Sequence, residues 1–160
     1  MTLSLNDAAP RAVAHPPAAY QRMLAVQGAV DRAGLDGRLP HLIKIRASQI
    51  NACGFCLDMH VGHALDDGVD ERVLHLLPAW REVAAFDDRE RAALALTEAV
   101  TLVHRDQVPR EVWDAAAAVL SEDELGAVLW QIIAINAWNR LSIALRTQPA
   151  SLAAAAEAAA

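Results

Sequence analysis

The chain of 160 residues has few aromatic side chains and only two cysteines. Phe, Trp and Tyr together make up 4% of it, whereas hydrophobic residues make up 54%, mostly alanine and leucine. Strands favour β-branched and aromatic residues, and alanine has the best helix propensity, so this composition predicts closely packed helices. Two cysteines are also too few for a secreted domain held together by several disulfides.

Basic residues and long apolar runs are also scarce. The 14 Lys and Arg are outnumbered by 20 Asp and Glu, and no basic cluster is present, which argues against a nucleic-acid partner. No apolar run reaches the roughly 20 residues that a membrane span needs. The N-terminus has no basic region followed by an apolar core, so no secretory signal is expected. We therefore expect a cytoplasmic protein with a single domain.

Helical periodicity runs through most of the chain, because apolar residues recur at steps of three and four. The pattern predicts an all-α fold of about seven helices, at residues 17–33, 41–51, 53–65, 71–77, 88–103, 109–120 and 122–146. First-turn prolines and capping side chains are predicted to begin them: Pro17, Pro40, Asp70, Asp87 or Asp88, Pro109, and the capping box from Ser121 to Glu124. Residues 1–16 are predicted to be an irregular arm, 17–148 the domain, and 149–160 an Ala-rich tail.

Both cysteines lie in one short segment, as Cys53 and Cys56, and His60 follows four residues later. Residues of a helix advance by about 100° each, so these three side chains would share one face. Residues three apart are close to disulfide distance, and the positive end of a helix lowers the pKa of a thiol. His60 is placed to take a thiol proton and return it. This geometry predicts Cys56 as the nucleophile and Cys53 as the resolving thiol.

Other interpretations of this cysteine pair are open. Two buried structural cysteines would also account for it. His63 extends the set to two cysteines and two histidines, which suggests zinc, but structural zinc sites usually take their ligands from two separated segments. No metal is therefore expected. A thioredoxin-like domain would require a βαβ pattern around the motif, and the surrounding sequence is helical instead.

The segment from Ile45 to His60 resembles the signature of the carboxymuconolactone decarboxylase/alkylhydroperoxidase D-like family. Three later segments, 79–82, 88–99 and 135–140, continue the resemblance, which spans roughly residues 20–147. It implies an all-helical fold that assembles into trimers or hexamers. For the peroxidase branch it also implies reduction of hydroperoxides, with Cys53 and Cys56 as the redox pair and His60 as the proton-relay histidine. No metal or organic cofactor is implied, and a dithiol or lipoyl-type partner would reduce the disulfide.

The chain departs from the peroxidase branch at one position. That branch usually has a glutamate twelve residues before the first cysteine, where this chain has His41. A carboxylate would orient His60 and raise its basicity, whereas a second imidazole passes a proton without supplying negative charge. Either His41 takes part in the relay, or the relay is weaker. Glu98, on another predicted helix, is a second possible carboxylate, with a structural role as the alternative.

The sequence therefore predicts a thiol-dependent peroxidase or disulfide reductase that acts on alkyl hydroperoxides. One alternative is a lyase of the carboxymuconolactone decarboxylase type, although that reaction would not be expected to need two neighbouring thiols. Another is a redox-sensing or structural oligomer whose cysteines form a regulatory disulfide. Asn136, Asn139 and Arg140 are expected to make structural hydrogen bonds and to take no part in catalysis.

Overall fold

Eight α-helices and one 3₁₀ turn are present in the computed structural model, which describes residues 17–149 and 151–152. In chain order the helices are α1 Pro17–Asp31, α2 Leu39–Asn51, α3 Gly54–Asp66, α4 Glu71–Leu76, α5 Asp88–Thr101, α6 Val103–Asp106, α7 Arg110–Val119 and α8 Glu122–Ala144; the 3₁₀ turn Leu77–Ala79 follows α4. The described residues contain no strand and form a single domain, so the predicted all-α fold is confirmed.

The predicted arm, residues 1–16, lies outside the described residues, as does the predicted tail apart from Pro149, Ser151 and Leu152. None of the helices in the described part of the chain is both long enough and apolar enough to cross a lipid bilayer.

Several helix ends form as predicted. The side chain of Asp70 accepts a hydrogen bond from a backbone N–H of α4, and Asp87 and Ser121 each form a reciprocal capping box with the glutamate three residues later. Pro109 was predicted in the first turn but is the N-cap, with an extended backbone, so α7 begins one residue later. The helix predicted to run to residue 103 ends at Thr101, and the additional short helix α6 follows.

Helix α2 is enclosed by the rest of the fold and packs against α3, α5 and α8. Leu39 and Ile43 belong to a core cluster shared with α5, α7 and α8. Leu42 and Ile45 belong to a second cluster, shared with α3, α4 and α5. Ala47 belongs to a third, which contains both cysteines. No residue of α2 is fully exposed, as expected for a helix with apolar residues on more than one face.

Helices α2 and α3 are joined by only two residues. Ala52 has a left-handed backbone (φ 55°, ψ 41°). The N–H groups of Ala52 and Cys53 donate to the carbonyls of Gln49 (3.2 Å) and Ser48 (3.0 Å), which is the Schellman arrangement for closing a helix. Cys53 then has an extended backbone and serves as the N-cap of α3. The first cysteine is therefore positioned by the end of one helix and the start of the next.

Glu98 of α5 is committed to a structural cluster. Its carboxylate accepts hydrogen bonds from Arg46 of α2 (2.9 Å), the indole of Trp80 (2.8 Å) and Arg81 (2.5 Å). Burial acts to raise the pKa of Glu98, but the bonds from Trp80, Arg81 and Arg46 together lower it. The side chain thus ties α2 and α5 to the segment after the 3₁₀ turn.

We expect Glu98→Gln to lower the free energy of unfolding by about 2 kcal/mol, because it leaves mostly buried donors without a charged acceptor. The measurement is equilibrium denaturation, with Glu82→Gln at an exposed position as the matched control. The control should stay within about 0.5 kcal/mol of the parent protein. Equal effects of the two substitutions would show that the cluster does not stabilise the fold.

Candidate active site at the buried cysteine pair

Cys53 and Cys56 are free thiols, and each is only 1% exposed. Their core cluster contains Ala47 of α2 and Ile135 of α8, with Trp138 packed against it. Cys56 lies in the first turn of α3, where the partial positive charge of the helix end favours a thiolate. Its backbone N–H donates to the sulfur of Cys53 (3.4 Å), so the first cysteine caps the helix that carries the second.

A hydrogen bond between the two side chains gives the cysteines different acidities. The bond from Cys53 lowers the pKa of Cys56 to about 6, against the opposing effect of burial and with help from Asn139 and Ser142. The same bond, together with burial, raises the pKa of Cys53 far above its ordinary value. The thiolate is therefore favoured on Cys56, and Cys53 keeps its proton.

Asn139 of α8 connects the cysteines to α2. It is fully buried; its amide donates to Ser48 Oγ (3.0 Å), and its carbonyl oxygen accepts from the amide of Asn51 (2.9 Å). It also hydrogen-bonds to both sulfurs, which lowers the pKa of each. The sequence predicts a structural role for Asn139, and the structure adds direct contact with the thiols. The segment 135–140, which carries part of the family resemblance, is the signal that could have indicated this contact.

His60 is buried one turn after Cys56, with 8% of its surface exposed. Its Nδ1 atom has no hydrogen-bond partner among the described residues. Burial, assisted by the charges of Lys44, His63 and His41, lowers the pKa of His60 to about 3. His60 is therefore a neutral imidazole at neutral pH. The ring of His63, which is exposed, has its centroid 6.0 Å from that of His60.

His41 of α2 lies beside the C-terminal end of α3. It is 7% exposed, and its Nε2 atom is 3.1 Å from Oδ2 of Asp67, the residue that follows α3. Burial and the nearby Lys44 lower the pKa of His41, and Asp67 acts in the opposite direction. From the sequence, Asp67 is only part of the turn that ends the helix. The structure gives His41 the carboxylate partner that the sequence pattern lacks.

A cavity of about 230 Å³ lies beside the first cysteine. Its walls come from the α2–α3 joint, including Ala52 and Cys53, and from the end of α8 with the segment after it, residues 142–143 and 146–149. Ser151 donates a hydrogen bond to Asp58 of α3 (2.6 Å) close to that segment. Cys53 lines the cavity, and Cys56, in the first turn of α3, does not.

Within the described residues, no group of three or more His, Cys, Asp or Glu side chains is arranged to hold a metal ion. The arrangement of the site is suited to two-electron thiol chemistry. It combines a thiolate-favouring cysteine, a protonated cysteine and a neutral imidazole on the same helix.

Residues 17–99 match the sequence model of the carboxymuconolactone decarboxylase family. The chain belongs to this family. It is 34% identical over 135 residues to the uncharacterised protein YdfG of Bacillus subtilis, covering 84% of this chain and 92% of YdfG. The resemblance predicted from the cysteine segment is therefore confirmed.

Solved structures share the fold. A protein of unknown function from Agrobacterium tumefaciens, suggested to be the antioxidant defence protein AhpD, is 37% identical with a TM-score of 0.82, covering 88% of this chain and 96% of that one. The debrominase Bmp8, solved in complex with 2,3,4-tribromopyrrole, is 20% identical with a TM-score of 0.74, covering 83% of this chain and 71% of its own. At that identity the likeness to Bmp8 concerns the fold alone.

The lowered pKa of His60 predicts a dependence of stability on pH. Its folded value of about 3 lies below the ordinary value of 6.5, so between these values the unfolded chain binds a proton that the folded chain excludes. Stability is therefore retained above about pH 6.5 and lost as the pH falls, by up to about 1.4 kcal/mol per pH unit.

We expect His60→Gln to flatten this acid limb when the free energy of unfolding is measured by denaturation at several pH values. His104→Gln, at an exposed position, is the control and should keep the parent slope. The same slope in both variants would contradict the assignment to His60.

Proposed function

We propose that the protein is a thiol-dependent peroxidase that reduces alkyl hydroperoxides through Cys56 and Cys53. The observation that carries the proposal is the arrangement of the two thiols at the start of α3. The sulfur of Cys53 accepts the backbone N–H of Cys56 (3.4 Å), and the pKa values of the pair favour the thiolate on Cys56 and the proton on Cys53. Membership of the family and the similarity to the Agrobacterium protein suggested to be AhpD support it. His60 serves as the proton relay, with His41 as its second proposed member.

In the first half of the reaction, the Cys56 thiolate attacks the terminal oxygen of the hydroperoxide. The O–O bond breaks, Cys56 becomes a sulfenic acid, and the alkoxide takes a proton from the relay and leaves as an alcohol. Cys53 then attacks the Cys56 sulfur. Its thiol proton leaves with the hydroxyl group as water, and a disulfide forms. One hydroperoxide is reduced by two electrons, and two thiols are oxidised.

A dithiol or lipoyl-type donor completes the cycle. Because Cys53 lines the cavity, the donor thiolate attacks the sulfur of Cys53 and Cys56 leaves as a thiolate. A thiol of lower pKa is the better leaving group, so this direction of attack is also the chemically favoured one. The second donor thiol then attacks the mixed disulfide, which oxidises the donor to a disulfide and returns Cys53 to the thiol form.

The test is stopped-flow oxidation of the reduced protein by cumene hydroperoxide, with thiols counted afterwards. We expect loss of two thiols per chain, unchanged by a metal chelator. Cys56→Ser should slow the reaction by more than about a hundredfold. Cys53→Ser should still reduce one equivalent of hydroperoxide and stop at a sulfenic acid, which dimedone traps.

Two results would overturn the proposal. If Cys56→Ser reacts at the parent rate, the nucleophile lies elsewhere. Slow oxidation at one rate in the parent and both variants would instead favour a regulatory or structural disulfide. The two cysteine variants serve as controls for each other, since both remove one thiol and only one should abolish the fast reaction.

The protein is further proposed to work as a homo-oligomer, a trimer or hexamer by its family resemblance. An apolar groove of about 300 Å³ runs between α1 and α8, lined by Val26, Val30, Ala127 and neighbouring residues, and by Trp130, which is 55% exposed. Exposed apolar patches of this kind often mark protein–protein contacts.

We expect Trp130→Glu to shift the assembly towards monomers in light scattering, because it places a charge in this groove. Trp113→Glu, at a partly exposed position on α7, is the control and should leave the mass unchanged. A monomeric parent protein, or an unchanged oligomer in Trp130→Glu, would contradict the proposal.

A further inference from the structure

The cavity beside Cys53 lies between two helix ends of the same kind. Like the end of α2, the end of α8 is closed by a residue with a left-handed backbone, Arg146 (φ 50°). The N–H of Arg146 donates to the carbonyl of Ile143 (3.0 Å). The N–H of Thr147 donates to the carbonyl of Ser142 (3.0 Å), which completes the same Schellman arrangement. The chain therefore turns sharply at the end of α8 and continues along the cavity.

After this turn the chain forms one wall of the cavity and is fastened to α3. Residues 146–149 line the cavity, and we name them, together with residues 151–152, the C-terminal segment. Both donors of Ser151 bind one carboxylate: the hydroxyl donates to Oδ1 of Asp58 (2.6 Å), and the N–H donates to Oδ2 (3.5 Å). Asp58 lies two residues after Cys56. The C-terminal segment is thus tied to the helix that carries the second cysteine.

The size of the cavity limits what can lie in it. At about 230 Å³ it has room for roughly eight waters, since each water takes about 30 Å³ in the liquid. A small dithiol such as dithiothreitol has about as many non-hydrogen atoms. The dithiol of a protein such as thioredoxin belongs to a folded surface, which does not fit into this space. Cys53 lines the cavity but is only 1% exposed, so a protein thiol reaches its sulfur only when a wall moves.

The two walls of the cavity differ in how firmly they are held. The joint between α2 and α3 belongs to the core, where Cys53 packs with Ala47 and Ile135. The residues of the C-terminal segment are half-buried or exposed, and Leu152 is 61% exposed. Segments with few buried apolar contacts open at the lowest cost in free energy. The C-terminal segment is therefore the wall that moves, and its hydrogen bonds to α3 oppose that movement.

We propose that Asp58 determines which dithiols reduce the protein, because it holds Ser151 and so keeps the C-terminal segment in place beside Cys53. Small dithiols enter the cavity with this wall in place, whereas a dithiol on a protein surface requires the wall to move. The inference rests on the dithiol half of the proposed function. There the donor thiolate attacks the sulfur of Cys53, and Cys56 leaves as a thiolate. The second donor thiol then releases Cys53, so two electrons pass to the protein and the donor becomes a disulfide.

The experiment measures reduction of the disulfide between Cys53 and Cys56 by two donors of different size, dithiothreitol and reduced thioredoxin. Diamide forms the disulfide beforehand, so its preparation does not depend on peroxidase activity. Samples are alkylated at intervals, and the thiols of this chain are counted by mass. We expect Asp58→Ala to raise the rate with thioredoxin about tenfold, because losing a hydrogen bond to a carboxylate raises the population of the open segment. The rate with dithiothreitol should change by less than about twofold.

The matched control is Asp66→Ala, at an exposed position on the same helix, which should change neither rate. Variants of Ser151 test whether Asp58 acts through it. Ser151→Ala removes the hydroxyl donor and should produce most of the rise with thioredoxin, whereas Ser151→Thr keeps the hydroxyl and should stay near the parent rate. In an Asp58→Ala background, Ser151→Ala should cause no further rise.

The outcomes separate this inference from the peroxidase function. A parent protein that does not react with hydroperoxide, but whose disulfide shows the expected response to Asp58→Ala, refutes the peroxidase function and supports the role of Asp58. A parent that does react, with Asp58→Ala at the parent rate with thioredoxin, refutes the role of Asp58 alone. An equal change with both donors also overturns it, because Asp58 would then act on the cysteines and not on access to them. Failure of diamide to form the disulfide refutes both.

Discussion

The burial of helix α2 is the constraint on which the rest of the structure depends. Its apolar side chains enter three separate core clusters, so α3, α5 and α8 must all pack around it. The polar residues that remain on α2 are then half-buried or buried and need partners. Arg46 donates a hydrogen bond to Glu98, and Ser48 accepts one from Asn139. His41 contacts the carboxylate of Asp67. The polar network of the site thus follows from burying, at the centre of a small domain, a helix that carries both apolar and polar side chains.

Most of the fold could be predicted from the sequence because its signals are local. Helical spacing, the capping side chains Asp70 and Asp87, and the capping box at Ser121 each act within a few residues. The errors lie where the local signals are ambiguous or absent. Pro109 fits either the N-cap or the first turn, and the break after Thr101 carries neither glycine nor proline. The buried contact between Thr101 and Asn136, which lies at that break, joins residues far apart in sequence.

The candidate site could be predicted only in part, because sequence patterns show local relations and part of the site comes from distant segments. Cys53, Cys56 and His60 lie on one short segment, so their spacing brings them together. Asn139 reaches the thiols from α8, and Asp67 meets His41 only when α2 and α3 pack side by side. The different pKa values of the two cysteines likewise depend on burial and on hydrogen bonds between helices. The order of residues in the sequence does not show either of these. A sequence pattern can identify reactive groups, but their proton affinities come from the tertiary structure.

The joint between α2 and α3 has a mechanical consequence for a redox cycle. The sulfur of Cys53 is also the cap of α3, at a position where an oxygen cap contributes about 1 kcal/mol to a helix. When that sulfur enters a disulfide, it loses its S–H donor, and its hydrogen bond with the first turn of α3 changes. Oxidation also affects the end of α2, because the backbone N–H of Cys53 donates the hydrogen bond that closes that helix. The oxidation state of one atom is linked to the ends of two helices, one of them the central helix of the domain.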